Sequence, residues 1–249
     1  MVMVSIVTPL HNSSKFIIET IDGVILQSYT NWEMIIVDDC STDNGVEIVE
    51  KLQKQDDRIK LIKNEINSGP AVSRNRAIEA ARGRFIAFLD SDDIWHPTKL
   101  EEQLNFMQKN DYVFTFTAYD KINEKGEKVG HVEIPLEVAY NDLLKTCSIG
   151  CLTAMYDTRK IGKVYMPIIK KRQDFALWLK ILKIVPKAYG LNRPLAKYRL
   201  TSNSVSSNKL KASKYQWKVY RHIEKLNIVS STYYFLFYTI HGIVKKYFK

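Results

Sequence analysis

Short apolar runs rich in β-branched residues recur through the first part of the chain, and between them the apolar residues change to helical spacing. Residues 3–8 (MVSIVT) form the first run, and Lys15 to Gln27 then carries Phe16, Ile17, Ile21, Val24 and Ile25 on one helical stripe. Trp32 to Val37 reads as a second strand, Val46 to Leu52 as a second helix and Ile59 to Ile62 as a third strand. Ala71 to Ala81 is a third helix, and Phe85 to Leu89 a fourth strand closed by Asp90. Strands that alternate with helices return to the same end of a sheet, so they lie parallel and the helices cover both faces. The expected class is α/β, Rossmann-like, with a mostly parallel sheet. Regular alternation fades after about residue 120, leaving a mixed region and a basic tail without internal repeats. With 249 residues, 45% of them hydrophobic, the chain can bury one substantial core.

Open sheets of this kind bind ligands beyond the carboxyl ends of their strands. Polar clusters fall there: Pro9 to Asn12 after the first strand, Asp38 to Asp43 after the second, Asp90 to Asp93 after the fourth. Asp90, Asp92 and Asp93 crowd the end of an apolar strand, where a hard divalent cation such as Mg²⁺ or Mn²⁺ would bridge carboxylate to phosphate oxygens. The alternative is a solvated loop in which one Asp caps the helix after Pro97. Asp38 and Asp39 can accept hydrogen bonds from a nucleobase N–H or a ribose hydroxyl, or else Asp43 or Ser41 caps the helix near Val46. Neither GxGxxG nor GxxxxGK[ST] occurs, so a phosphate bound here must be held by metal and basic side chains.

Charge is unevenly distributed: 15 Lys and Arg face 21 Asp and Glu in residues 1–130, against 22 and 6 in residues 131–249. The first half is about −6 and the second about +16, which points to an anionic partner for the second: nucleic acid, diphosphate or membrane. Cys40, Cys147 and Cys151 are an odd set without metal-type spacing and are expected to be reduced thiols. The N-terminal residues do not have the pattern of a secretory signal. Tyr233 to Val244 is too short and too interrupted to span a bilayer. Tyr233, Phe237, Ile240, Val244 and Tyr247 nevertheless recur at helical spacing beside Lys245, Lys246 and Lys249, as in an interfacial helix, and the same stripe would equally suit packing on the core.

Taken together, VSIVTPLHN, NWEMIIVDDCSTD, NSGPAVSRNRAIEAARGRFIAFLDSDDIWHPTKLEEQL, KRQDFALWLKIL and YRLTSNSVS resemble family 2 glycosyltransferases of the GT-A fold, especially bacterial enzymes of surface-polysaccharide synthesis. The likeness runs over about residues 3–206 and is densest up to about residue 107. It implies a catalytic domain over 1–206, with a nucleotide-sugar half (1–110) and an acceptor half (111–206), and a basic helical extension over 207–249. The resemblance places Pro9 and His11 in a uracil pocket, with His11 where Tyr is common, and makes Asp39 the acceptor of the base N3–H. Asp90 is expected near the ribose with Ser91 beside it, and Asp92 on the metal, while Asp93 is expected only to begin the next helix. Gly69, in the Ser68-Gly69-Pro70 turn, lets backbone pass close to the donor, and Arg74 is placed to meet an anion at the start of the third helix.

The implied catalytic base is Asp174, the one acid besides Asp157 in residues 157–223 and ringed by cations that keep it ionised. The family usually reads Glu-Asp here, and Gln173 stands in for the Glu. Trp178, one turn on, reads as core. Arg199 and the serines after it resemble the segment that closes over the donor diphosphate, with Arg199 meeting the leaving group; Leu200 and Thr201 stand where the family often has a His. The whole implies an inverting, metal-dependent transfer from a nucleotide sugar, a UDP-sugar first, to a glycan or polyprenyl-diphosphate-linked acceptor at the cytoplasmic membrane surface. The rivals are a nucleotidyltransferase, which lacks its glycine- and arginine-rich loop here, and a nucleic-acid-binding protein, for which no module is visible.

Overall fold

The computed structural model describes residues 3–201 and 209–247. Ser202, Ser204, Ser206, Ser207 and Lys249 fall outside the described residues, as do the side chains of Val244, Lys245, Lys246 and Tyr247. The first part alternates as expected: β1 (Val4–Leu10), α1 (Ile17–Ile25), β2 (Trp32–Asp38), α2 (Gly45–Gln53), β3 (Ile59–Lys63), α3 (Pro70–Ala80) and β4 (Phe85–Phe88). The short β5 (Ile94–Trp95), α4 (Lys99–Lys109), β6 (Phe114–Ile122), β7 (Lys128–Val132), β8 (Glu137–Val138) and α5 (Tyr140–Lys145) follow. Then come β9 (Met155–Asp157), α6 (Thr158–Ile161), α7 (Gln173–Leu182), β10 (Ala188–Arg199), α8 (Lys209–Lys218) and α9 (Ile228–Tyr247).

The strands join one sheet in the order β3-β2-β1-β4-β9-β6-β10-β5, with β7 beside β6 and β8 beside β10. From β3 to β4 every pairing is parallel, whereas β9 runs antiparallel to both β4 and β6. The sheet is thus mixed, parallel in the N-terminal half and mostly antiparallel beyond it. Alternation along the strands sorts the core onto two faces. Val7, Ile35, Val37, Ile86 and Phe88 pack with α3 and α7 on one side. Val4, Ile6, Met34, Ile36, Phe85 and Ala87 pack with α1 and α4 on the other. Helix α7 is buried almost all round, and Trp178 lies edge-on to Phe88 with ring centroids 5.2 Å apart, so it is core and touches no cleft. Truncating it to Ala would cost about 3–5 kcal/mol.

Two boundaries differ from expectation. β1 continues through Pro9 to Leu10, so Pro9 lies within the strand instead of opening the loop. Asp93 does not start a helix: it precedes β5, and α4 begins six residues later at Lys99. In the tail, α9 uses one face for packing. Tyr234 and Phe235 lie on the core, Phe235 meets Trp217 at 5.5 Å, and the Tyr234 hydroxyl donates to Asn141 Oδ1 at 3.1 Å. The other face leaves Val229, Tyr233, Leu236 and Ile240 exposed. No helix among the described residues is long and apolar enough to cross a membrane. None of the three cysteines is in a disulfide.

Candidate active site

The carboxyl ends of β1, β2 and β4 open into one cleft of about 1450 Å³, whose far wall comes from β10, the segment 132–152 and the start of α7. Pro9, His11, Asp39, Gly69, Arg74, Asp90, Ser91, Asp92 and Asp174 all line it. Residues far apart in sequence, predicted from separate motifs, therefore share a single cavity.

The β1 and β2 loops are stitched together. Asn12 N donates to Ser41 Oγ at 3.0 Å, Thr42 N to Asn12 Oδ1 at 2.8 Å, and Ser14 N to Asp43 Oδ2 at 2.8 Å. Asp43 also accepts from Gly45 N at 3.0 Å, which satisfies a free amide at the start of α2. Asn12 and Cys40 hold left-handed backbone (φ 50 and 60), an uncommon conformation for non-glycine residues that the surrounding bonds enforce. Exposed His11 stands over this junction, its Nε2 3.4 Å from the Asn12 and Asn67 amides.

Asp39 is the anchor of the next layer. Its carboxylate accepts from Asn64 Nδ2 at 2.7 Å, Ser68 N at 2.8 Å and Gly69 N at 2.7 Å. Three of roughly four acceptor directions are filled, leaving one for a ligand N–H. Gly69 has φ +84, so a side chain there would strain the turn that presents its amide. The Ser68-Gly69-Pro70 turn was expected beside the donor, but its bonds to Asp39 were not; Asn64 carries no motif of its own and was not anticipated.

Arg74, in the second turn of α3, is buried and ion-paired through Nη2 to Asp90, while its Nε and Nη1 have no partner among the described residues. Burial opposes its charge, but Asp90 outweighs that and holds the guanidinium firmly protonated. Asp90 is thus shared between Arg74 and the cleft. Ser91 Oγ donates to Ser13 Oγ at 2.9 Å, fixing the aspartate loop against the β1 loop. Burial, then the neighbouring Asp90 charge, pushes the Asp92 carboxyl up to about 6. Burial and the same aspartates push Asp93 well up too, although its Oδ1 accepts from Arg199 N at 2.9 Å.

Such a loop carries more negative charge than its surroundings neutralise, and it fits a divalent cation. No group of three or more His, Cys, Asp or Glu among the described residues is arranged to cage an ion alone. Mg²⁺ and Mn²⁺ suit the donor set better: one or two carboxylates, with phosphate oxygens and water completing the shell.

Arg199 departs from expectation. It is 2% exposed and does not line the cleft. Nε donates to Asp92 O at 2.8 Å, Nη1 reaches Asn123 O and Glu124 O at 3.4 and 3.3 Å, and Nη2 pairs with Glu19. With these partners the guanidinium braces the aspartate loop from behind and is not turned toward a leaving diphosphate. Its distant partner Glu19 left no mark in the sequence that pairing could be read from.

Asp174 sits in the first turn of α7, where a carboxylate also suits the helix dipole, and its charge is felt by Arg74 on one side and Arg172 on the other. Gln173 is buried in the same wall, its Oε1 without a partner among the described residues.

A parallel N-terminal half, an acidic loop at its switch point and a carboxylate across the cleft define the GT-A glycosyltransferase class. Solved structures with this fold include Staphylococcus aureus TarS 1–349 in complex with UDP-GlcNAc (TM-score 0.71, 24% identity, 89% of this chain and 67% of that one). The mannosyltransferase PcManGT of Pyrobaculum calidifontis in complex with GDP-Man and Mn²⁺ is another (TM-score 0.71, 15% identity, 93% and 69%). The chain belongs to glycosyl transferase family 2, whose family model matches residues 5–193. It is 46% identical over 245 residues to a protein named as a teichuronic acid biosynthesis glycosyltransferase, TuaG of Bacillus subtilis (strain 168), covering 98% of this chain and 97% of that one. It is 43% identical over 244 residues to the Escherichia coli UDP-Glc:alpha-D-GlcNAc-diphosphoundecaprenol beta-1,3-glucosyltransferase WfgD, covering 98% and 94%.

Proposed function

We propose that this glycosyltransferase moves a sugar from a UDP-sugar to a hydroxyl of a lipid-diphosphate-linked glycan, with inversion, in bacterial surface-polysaccharide synthesis. The observation that carries this reading is the convergence of Asp39, Asp92 and Asp174 on one cleft. Asp39, with one acceptor direction left, suits a base N–H, and His11 beside it offers a ring to the base. Asp90, Ser91 and Arg74 border the ribose and diphosphate region. Asp92 would hold Mn²⁺ or Mg²⁺, which supplies a Lewis acid to the departing diphosphate. Asp174 takes the proton of the acceptor hydroxyl as that oxygen bonds to the anomeric carbon. The bond from that carbon to the diphosphate oxygen breaks on the opposite face, and UDP leaves. The names of the Bacillus and Escherichia relatives support the pathway and the lipid-linked acceptor, and the UDP-GlcNAc complex of TarS supports the donor.

The same reading puts the enzyme at the inner face of the membrane through residues 233–249. The exposed apolar face of α9 supports it, and near anionic lipid each nearby Lys would add about 1 kcal/mol. Two measurements test this function. Mn²⁺-dependent hydrolysis or thermal stabilisation is expected with at least one UDP-sugar and is lost in EDTA; no response to any nucleotide sugar sinks the donor assignment. Full-length protein is expected to float with anionic liposomes at low salt and a 1–232 truncation to stay behind; equal flotation of the two removes the membrane role of the tail.

A further inference from the structure

The wall around Asp174 holds a second cationic element that the donor side does not use. Lys171 and Arg172 line the cleft immediately before Gln173 and Asp174. Arg172 is the N-cap of α7 and holds left-handed backbone (φ 67). Its Nη2 bonds the hydroxyl of Tyr238, a residue of α9, and the guanidinium lies 5.1 Å from the Tyr238 ring centre. Its buried Nε–H has no partner among the described residues. An unmatched charged donor in a cleft wall is costly unless a ligand supplies the acceptor, and an arginine fork is matched by phosphate oxygens.

Position separates this element from the donor. Arg74 is ion-paired to Asp90 of the aspartate loop, whereas Arg172 bonds Tyr238 of α9. Asp174 lines the cleft together with both arginines and directly follows Arg172 and Gln173 in the chain. Lys171 and Arg172 stand beside Asp174 in the cleft wall, Arg172 is tied to α9 through Tyr238, and α9 exposes Val229, Tyr233, Leu236 and Ile240. Sugar hydroxyl, diphosphate and lipid follow one another in the same order in a lipid-linked acceptor. We infer that Lys171 and Arg172 form the subsite for the diphosphate of a prenyl-diphosphate-linked acceptor, with the lipid leading toward the exposed face of α9. This rests on the lipid-linked acceptor of the proposed function.

The test uses full-length protein saturated with UDP and Mn²⁺, titrated with geranyl diphosphate by calorimetry. Arg172→Asn removes the guanidinium while keeping a residue that tolerates left-handed backbone, and Lys171→Gln changes charge outside the helix cap. Geranyl diphosphate is expected to bind the wild type, each variant to weaken it about tenfold or more, and UDP affinity to stay the same. Failure of the wild type to bind geranyl diphosphate, or unchanged affinity in both variants, overturns the subsite. A parallel loss of UDP affinity overturns it too, because it places the pair on the donor diphosphate. Failure of UDP itself to bind with Mn²⁺ strikes the proposed function instead.

Discussion

Two regions of the cleft are built on opposite terms. At the β1 and β2 loops, carboxylates are met by the protein: Asp39 by three donors and Asp43 by the Ser14 and Gly45 amides. At the β4 loop and the start of α7, Asp92 is held up at about 6 by burial and Asp90, and Arg74 Nε and Nη1, Arg172 Nε and Gln173 Oε1 have no partner among the described residues. One side keeps its shape unaided; the other stores unmet polarity. A pre-shaped wall suits the part of the substrate that never changes, the nucleotide, whereas unmet charge suits groups that arrive and leave: metal, diphosphate and acceptor.

The contrast can be broken most directly at Asp92. Asp92→Asn is expected to abolish the Mn²⁺-dependent part of UDP affinity by calorimetry, and retention of that part would remove Asp92 as the ligand. The same variant reports on stored charge. A carboxyl whose folded pKa is raised contributes stability that is complete below about pH 4 and lost as pH rises through about 6. Asn never ionises, so in EDTA the Tm difference between variant and wild type should grow in favour of the variant across that window. A flat difference would mean that Asp92 carries no such strain.

Next in size, Asp174→Asn should keep UDP binding and lose transfer by about 10²- to 10⁴-fold; near-normal turnover would turn attention to Asp157, although that residue is buried and paired with Arg84. Arg199→Ala should cost about 2–4 kcal/mol of stability in denaturant titration, as the Asp92, Asn123 and Glu124 carbonyls lose a charged donor while the more exposed Glu19 stays solvated. A variant with normal stability and depressed turnover would restore Arg199 to the leaving group. The smallest effect is expected at Asp39→Asn, about 1–3 kcal/mol as the Ser68 and Gly69 amides lose a charged acceptor. If that variant is as stable as the wild type, the nucleotide wall is not self-supporting and the contrast fails.

Much of this was legible in the chain. The period change between strand and helix located β1 to α3 within a residue or two, because each element buries one simple face. The acids at the ends of β2 and β4 were found because charge at the end of an apolar strand has few structural uses. The second half resisted. β10 contains Pro194 and slips register twice against β6, and β7 and β8 are mostly exposed, so their patterns do not alternate cleanly. Arg199 was misassigned for a physical reason: an arginine near an acidic loop looks the same in sequence whether it faces the ligand or supports the loop. Arg172 went unnoticed because its partner Tyr238 lies 66 residues away.

The bracing role of Arg199 also dictates an order of assembly. Its contacts reach 180 residues back to Glu19, 107 to Asp92, and 76 to Asn123. Contacts of such span close late, since the loop entropy they must overcome is large. A nascent chain can form the parallel strands as they emerge, yet its aspartate loop stays unbraced until β10 has docked. A fragment ending at residue 110 would accordingly hold the strands and helices of the nucleotide half without a settled metal loop, and the competence to hold a donor would appear at one late step of synthesis.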